Sequence, residues 1–195
     1  MENEPADILT RLGEMALGCG FTQTGRLDTA TIKVRQEVRD ACATDKCHAY
    51  GKNWSCPPAC GSLEECEKQL HQFKYGLLLQ TSGSLEDSFD YEGIQQISEK
   101  HTENLKKFRA VLEGKKIAAH NTDCENPSGF MLLGAGACKE CESCTYPGAP
   151  CRFPEKMTVS MEAMGLVVSD VCTAAGLPYY YGPNTMTFVG CVLLA

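Results

Sequence analysis

No apolar run in this 195-residue chain approaches the length of about eighteen residues that a bilayer-spanning helix needs, so a membrane protein is not expected. Positive charge is also scarce. Against 25 Asp and Glu there are 18 Lys and Arg, a net charge of −7, which removes the basic footprint of a protein that binds nucleic-acid phosphates. The sequence has no Gly-rich phosphate loop, no G-x-S-x-G and no H-E-x-x-H, so it carries none of the common signatures of nucleotide, acyl-transfer or zinc-protease chemistry. A secretory signal is missing too. The first twenty residues mix Glu2, Glu4, Asp7, Arg11 and Glu14 with apolar positions, the pattern of an amphipathic surface helix. A cytoplasmic protein is the expectation.

Cysteine is abundant: thirteen are present. A disulfide framework fits them poorly, because the count is odd, the compartment expected is reducing, and the chain is large enough to bury a core of its own. Metal ligation is the reading to test.

Periodicity supplies the frame. Ile8, Leu9, Leu12, Met15 and Ala16 predict a first helix stopped by Gly18 and Gly20. Thr29 to Val34 is short and β-branched and predicts a strand. From Ala41 to Cys66 the pattern breaks into Cys, Gly and Pro, a loop ordered by something other than apolar packing. Ser62 and Glu65 form a capping box that opens a helix to about Phe73. Tyr75 to Thr81 then reads as a buried strand, Tyr91 to Leu112 as a long helix, and Phe130 to Leu133 as a short strand feeding a second Cys-rich loop, Gly134 to Pro154. A helical turn over Ser160 to Gly165, a helix over Val167 to Ala175 and a strand over Thr185 to Leu194 complete the chain. Residues 1–195 therefore predict one α/β domain, a mixed sheet flanked by helices, with Cys-rich loops at about 41–66 and 134–154. Lys106, Lys107 and Arg109, with Lys115 and Lys116 just beyond, read as a solvated helix end or as a docking face for an acidic partner.

The late loop, GAGACKECESCTYPGAPCRFP, places Cys138, Cys141 and Cys144 in a C-x2-C-x2-C run with Cys151 after it. A [4Fe–4S] cube needs four converging thiolates, and three of them two residues apart can wrap three corners from one tight loop. The turn through Pro147, Gly148 and Pro150 lets Cys151 return to the same core. Four thiolates also satisfy structural zinc, which more often uses two separated C-x2-C knuckles. The early loop, CATDKCHAYGKNWSCPPACGSLEEC, offers Cys42, Cys47, Cys56 and Cys60, with Cys66 on the following helix. Cys60 or Cys66 would close a four-thiolate site; with neither, one iron keeps an open position. His48 is expected to face solvent, and Trp54 beside Cys56 either shields a cluster or packs without one. Of the solitary cysteines, Cys172 and Cys191 read as buried thiols, while Cys19 and Cys124 stand apart.

Both loops together resemble the bacterial and archaeal "predicted metal-binding protein" family, a domain of unknown function. The resemblance rests on Cys47, Tyr50-Gly51 and Cys56 to Pro58, on YGLLLQ, on GAGAC with its C-x2-C, and on PCRFPEKMTVSMEAMGLVV with Cys151, Arg152, Pro154, Ser160, Met161, Glu162, Ala163 and Gly165. It implies Cys42, Cys47 and Cys56 as one ligand set and Cys138, Cys141, Cys144 and Cys151 as the other. Cys60 stands where the family pattern implies a polar residue, which adds weight to three thiolates at the early site. Arg152 would offset the negative charge of a thiolate cluster, and Ser160 with Glu162 would cap the following helix.

Three functions compete on these grounds. The first is an electron-transfer protein with one or two [4Fe–4S] clusters and a redox partner protein. The second is an enzyme with an open iron held by three cysteines, working as a Lewis acid or on sulfur. The third is a zinc-stabilised interaction protein.

Overall fold

A computed structural model describes residues 4–114 and 129–195. The chain order is helix α1 (Glu4–Cys19), strand β1 (Gln23–Asp28), α2 (Gln36–Ala43), α3 (Leu63–Leu70), β2 (Tyr75–Ser84), α4 (Tyr91–Gly114), β3 (Phe130–Gly134), β4 (Val159–Ser160), α5 (Val168–Ala174) and β5 (Thr185–Leu194). The strands form one sheet in the order β1-β2-β5-β3-β4, antiparallel except for the β3/β4 pair. The expected mixed sheet with flanking helices is present.

Side-chain alternation along β2 and β5 decides what lies on each face. Leu77, Leu79, Val192 and Leu194 point to one side, where Leu9, Leu12 and Ala16 of α1 and Leu105, Phe108 and Leu112 of α4 cover them. Leu78, Cys191 and Leu193 point to the other, where they meet Cys66 and Leu70 of α3, Val171 and Cys172 of α5, and Met161, Met164 and Leu166. A strand buried on both faces reads as a continuous apolar run, which is why YGLLLQ was legible. Cys172 and Cys191 are buried free thiols, as expected.

Two elements differ from the reading of the sequence. The β-branched segment at Thr29 is not a strand: Thr29–Thr31 is a 3-10 turn held by Asp28, whose Oδ1 accepts from the Ala30 amide at 3.0 Å and whose carbonyl accepts from the Thr31 hydroxyl at 2.6 Å. Such local side-chain bonds compete with a ladder, and only Val34 makes an isolated bridge, to Leu166. The strand lies just upstream, at the polar edge segment QTGRLD, where Gly25 and Leu27 alternate inward. The second difference is α2. It buries Arg39 and no apolar stripe, so periodicity could not find it, and Cys42 sits in its last turn rather than in a loop.

Elsewhere the agreement is close. The Ser62/Glu65 capping box makes both of its bonds: the Glu65 amide donates to Ser62 Oγ at 3.2 Å and the Ser62 amide to Glu65 Oε2 at 2.7 Å. The turn after β4 is closed by Ser160 Oγ, which accepts from the Ala163 amide at 3.0 Å, so this hydroxyl caps its own turn and not α5, whose N-cap is Val167. Gly165 ends that turn at φ +84°, and any Cβ there would collide with Leu63 Cδ1. Lys115, Lys116 and Cys124 lie outside the described residues.

Candidate metal centre

Both Cys-rich segments are irregular backbone, and polar bonds order them. In the early segment Asp45 is the organiser: its carboxylate accepts from the Tyr50 amide at 2.9 Å and from Lys52 Nζ at 2.8 Å, which pulls its pKa below the usual carboxylate range. His48 and Cys47 lie on the exposed outside of this bend, His48 at φ +58°. The chain then turns inward through Asn53, Trp54 and Ser55 to Cys56, which is buried.

The late segment docks on that inward turn. Ser55 Oγ accepts from the Cys138 amide at 2.9 Å, Asn53 Nδ2 donates to the Cys138 carbonyl at 3.4 Å, and Trp54 Nε1 donates to the Ala149 carbonyl at 3.0 Å. The Trp54 ring meets Tyr146 edge-to-face at 4.8 Å between centroids. Its backbone N–H is directed at Cys144 Sγ, 3.4 Å away. The two loops are thus one interlocked unit, with Trp54 at its centre.

Inside it, Cys138, Cys141, Cys144 and Cys151 line a single small cavity together with Asn53, Trp54 and Arg152. All four cysteines expected from the late motif therefore share one space. Arg152 closes the loop by donating to the Ser143 carbonyl at 2.9 Å and lines the same cavity as the four thiols. The donor chemistry fits a thiolate-held cluster: four soft sulfurs, one amide N–H on a sulfur, one adjacent cation.

The early cysteines divide differently. Burial pushes the Cys42 and Cys56 thiols above their usual pKa, and the neighbouring charges of Cys47 and Glu162 add to the rise at Cys42, those of Cys47, Cys42 and Cys138 at Cys56. Cys42, Cys47 and Cys56 are thus electrostatic neighbours, and Cys56 neighbours Cys60 and Cys138 as well. Cys42 Sγ lies 3.9 Å from the Glu162 carbonyl, so the SMEA turn faces the early site with its backbone. Cys60 donates its backbone N–H to the Cys56 carbonyl at 3.1 Å, and its sulfur meets a further set of groups. Its Sγ lies 3.6 Å from Arg39 Nη1 and its thiol donates to the Ala163 carbonyl at 3.6 Å, while the Cys66 thiol donates to the Cys60 carbonyl at 3.8 Å and Cys66 Sγ is 3.0 Å from Arg39 Nη2. The neighbouring Cys66 sulfur and burial raise the Cys60 thiol, whereas the neighbouring Cys60 and the guanidinium bring the Cys66 thiol down to about 7.

A family model described as predicted metal-binding protein matches residues 25–194. The chain belongs to this family. No curated protein and no solved structure matches it. Metal binding is therefore the shared property, and the matched span takes in both cysteine loops and the SMEA turn that faces the first. Among the described residues no helix is long and apolar enough to cross a membrane.

The sequence missed Arg39, among the described residues the one charged side chain buried beside these thiols. No motif marks it, and its only signal was its place one helical turn before Cys42, on a helix that periodicity did not reveal.

Proposed function

We propose that this family member is a cytoplasmic iron–sulfur protein with two adjacent cluster sites. Cys138, Cys141, Cys144 and Cys151 hold a [4Fe–4S] cluster that exchanges electrons with a partner protein. Cys42, Cys47 and Cys56 hold the other by three thiolates. The observation that carries this reading is the sharing of one cavity by the four late thiols, with the early group alongside at Cys56.

Iron–sulfur is favoured over zinc by spacing. Zn–S bonds of about 2.3 Å in a tetrahedron bring four sulfurs to within about 3.8 Å of one another. Structural zinc more often uses two separated C-x2-C knuckles, whereas Cys138, Cys141 and Cys144 stand in one C-x2-C-x2-C run. Three thiols in one tight run, with a fourth lining the same cavity, suit a core with iron at several corners.

The engagement of Cys60 with Arg39 and Cys66 favours three thiolates at the early site. A cluster bound there would supply an iron with an open position, able to polarise an oxygen or hold a sulfur ligand. The chain's own groups do the rest. Glu162 sets a buried carboxylate oxygen, Oε2, with no hydrogen-bond partner near Cys42, while Trp54 and Tyr146 cover the seam between the loops.

Anaerobic purification followed by iron, zinc and acid-labile sulfide analysis tests the reading. About eight irons and eight sulfides per chain, with absorbance near 400 nm that dithionite bleaches, are expected. Stoichiometric zinc in a colourless sample would refute it. Cys60→Ser should keep its iron; a loss of half the iron would instead make Cys60 a ligand.

A further inference from the structure

Arg39 is a buried cation with an unusual set of neighbours. It is 9% exposed, its Nη2 donates to the Gly61 carbonyl at 2.8 Å, and its Nε has no partner. Among the described residues no carboxylate forms an ion pair with it. A buried guanidinium without counter-charge is costly, so the fold must supply an anion. The atoms in position are two sulfurs, Cys66 Sγ at 3.0 Å and Cys60 Sγ at 3.6 Å. Cys66 is fully buried on α3, whereas Cys60 is partly exposed at the loop that precedes it.

We propose that Cys60 and Cys66, with Arg39 as their counter-ion, form a dithiol redox site separate from the metal ligands, which closes to a disulfide by exchange with a small-molecule disulfide. In the reduced state the two sulfurs share one proton and one negative charge beside the Arg39 guanidinium. Cys60, the accessible sulfur, attacks the external disulfide and leaves the shared proton on Cys66, releasing one small thiolate. Cys66 then returns that proton to the departing thiolate and attacks the Cys60 sulfur of the mixed disulfide. The Cys60–Cys66 bond forms and the second small-molecule thiolate leaves. One thiol, one thiolate and one disulfide become the internal disulfide, one small thiol and one small thiolate, so atoms, charge and electrons balance: the protein pair is oxidised and the external disulfide reduced.

Closure removes the anion that Arg39 faces. The guanidinium then presents an uncompensated charge to the α2 turn that carries Cys42, and the Cys60 backbone N–H donates to the Cys56 carbonyl at 3.1 Å. Oxidation state at the pair is thereby felt at two of the early ligands. The proposal shares with the iron–sulfur reading only the exclusion of Cys60 from the ligand set, and the dithiol chemistry requires no metal.

The test is anaerobic incubation of the full, metal-loaded chain with oxidised glutathione, followed by alkylation, tryptic digestion and sequencing of the 53–68 peptide, which holds Cys56, Cys60 and Cys66. A Cys60–Cys66 linkage that dithiothreitol reverses, forming about tenfold or more slowly in Arg39→Met and near the wild-type rate in Arg39→Lys, is expected. Both cysteines remaining alkylatable at equilibrium, or the linkage falling on Cys56, would overturn the proposal. Iron measured on Cys66→Ser separates the two readings: retained iron supports the dithiol, and iron lost from that variant while the wild type is loaded makes the pair ligands. Wild type without iron would sink the cluster assignment and leave the disulfide mapping to decide the dithiol by itself.

Discussion

Acid should weaken this protein through His101, a residue remote from every cysteine loop. The ring lies on α4 against the sheet, 1% exposed, between Phe21 and Phe188, with Nδ1 2.9 Å from Thr81 Oγ1 and Nε2 without a partner. Burial alone brings its pKa from 6.5 down to about 4. The unfolded chain therefore takes up a proton near pH 6.5 that the folded chain refuses until about pH 4. The stability associated with neutral His101 is complete above pH 6.5 and is lost as the pH falls toward 4. At about 1.36 kcal/mol per pKa unit the loss reaches about 3 kcal/mol, a large share of the stability of an ordinary domain. Urea unfolding of wild type and His101→Gln at several pH values between 4 and 8, at matched metal content, isolates the effect, because acid loss of thiolate-bound metal is common to both proteins. The wild-type advantage should shrink by about 3 kcal/mol between pH 7.5 and pH 4. A difference that stays constant with pH would refute the burial argument.

Three further outcomes follow from single contacts. Ser55→Ala deletes the buried hydroxyl that accepts from the Cys138 amide, and should cost about 1–3 kcal/mol in denaturant unfolding while loosening the late loop to proteolysis. Trp54→Phe keeps a ring against Tyr146 but loses the bond to the Ala149 carbonyl, so bleaching of the 400 nm absorbance in air should be faster than in wild type. Ser62→Ala removes half of the capping box at α3 and should lower stability by about 1 kcal/mol, read as a shift of the denaturation midpoint at unchanged slope.

What the sequence made legible is the apolar frame. The doubly buried strands around Leu78 and Cys191, the long α4 and the capping box at Ser62 are written in local patterns, and the structure has them. Polar order was not legible. The turn at Thr29 depends on one carboxylate, Asp28, and α2 exists around a buried arginine, so neither has a hydrophobic period to read. The late thiols share one cavity, because four cysteines within fourteen residues need only a loop to come together. The early segment could not be partitioned from spacing, since what takes Cys60 toward Cys66 is a side chain twenty-one residues upstream and a carbonyl, that of Ala163, over a hundred residues downstream.

That dependence on distant segments has a consequence for assembly. Few apolar side chains of the 41–62 and 134–153 segments belong to either core cluster, so these segments cannot order themselves by burial. They order each other: Ser55 holds Cys138, Trp54 holds Ala149 and faces Cys144, and the SMEA turn faces Cys42 and Cys60 with its carbonyls. Each of those bonds spans eighty or more residues, so it forms only after the sheet has brought β3 beside β5. The sheet is therefore expected to fold on its two apolar faces first, with the cysteine unit condensing afterwards as a low-stability region that metal binding at the proposed sites would stabilise. A chelator should then open the loops, exposing Trp54 to collisional quenchers, while the far-ultraviolet signal of the sheet and of α4 persists; simultaneous loss of both would mean that the metal holds the whole fold.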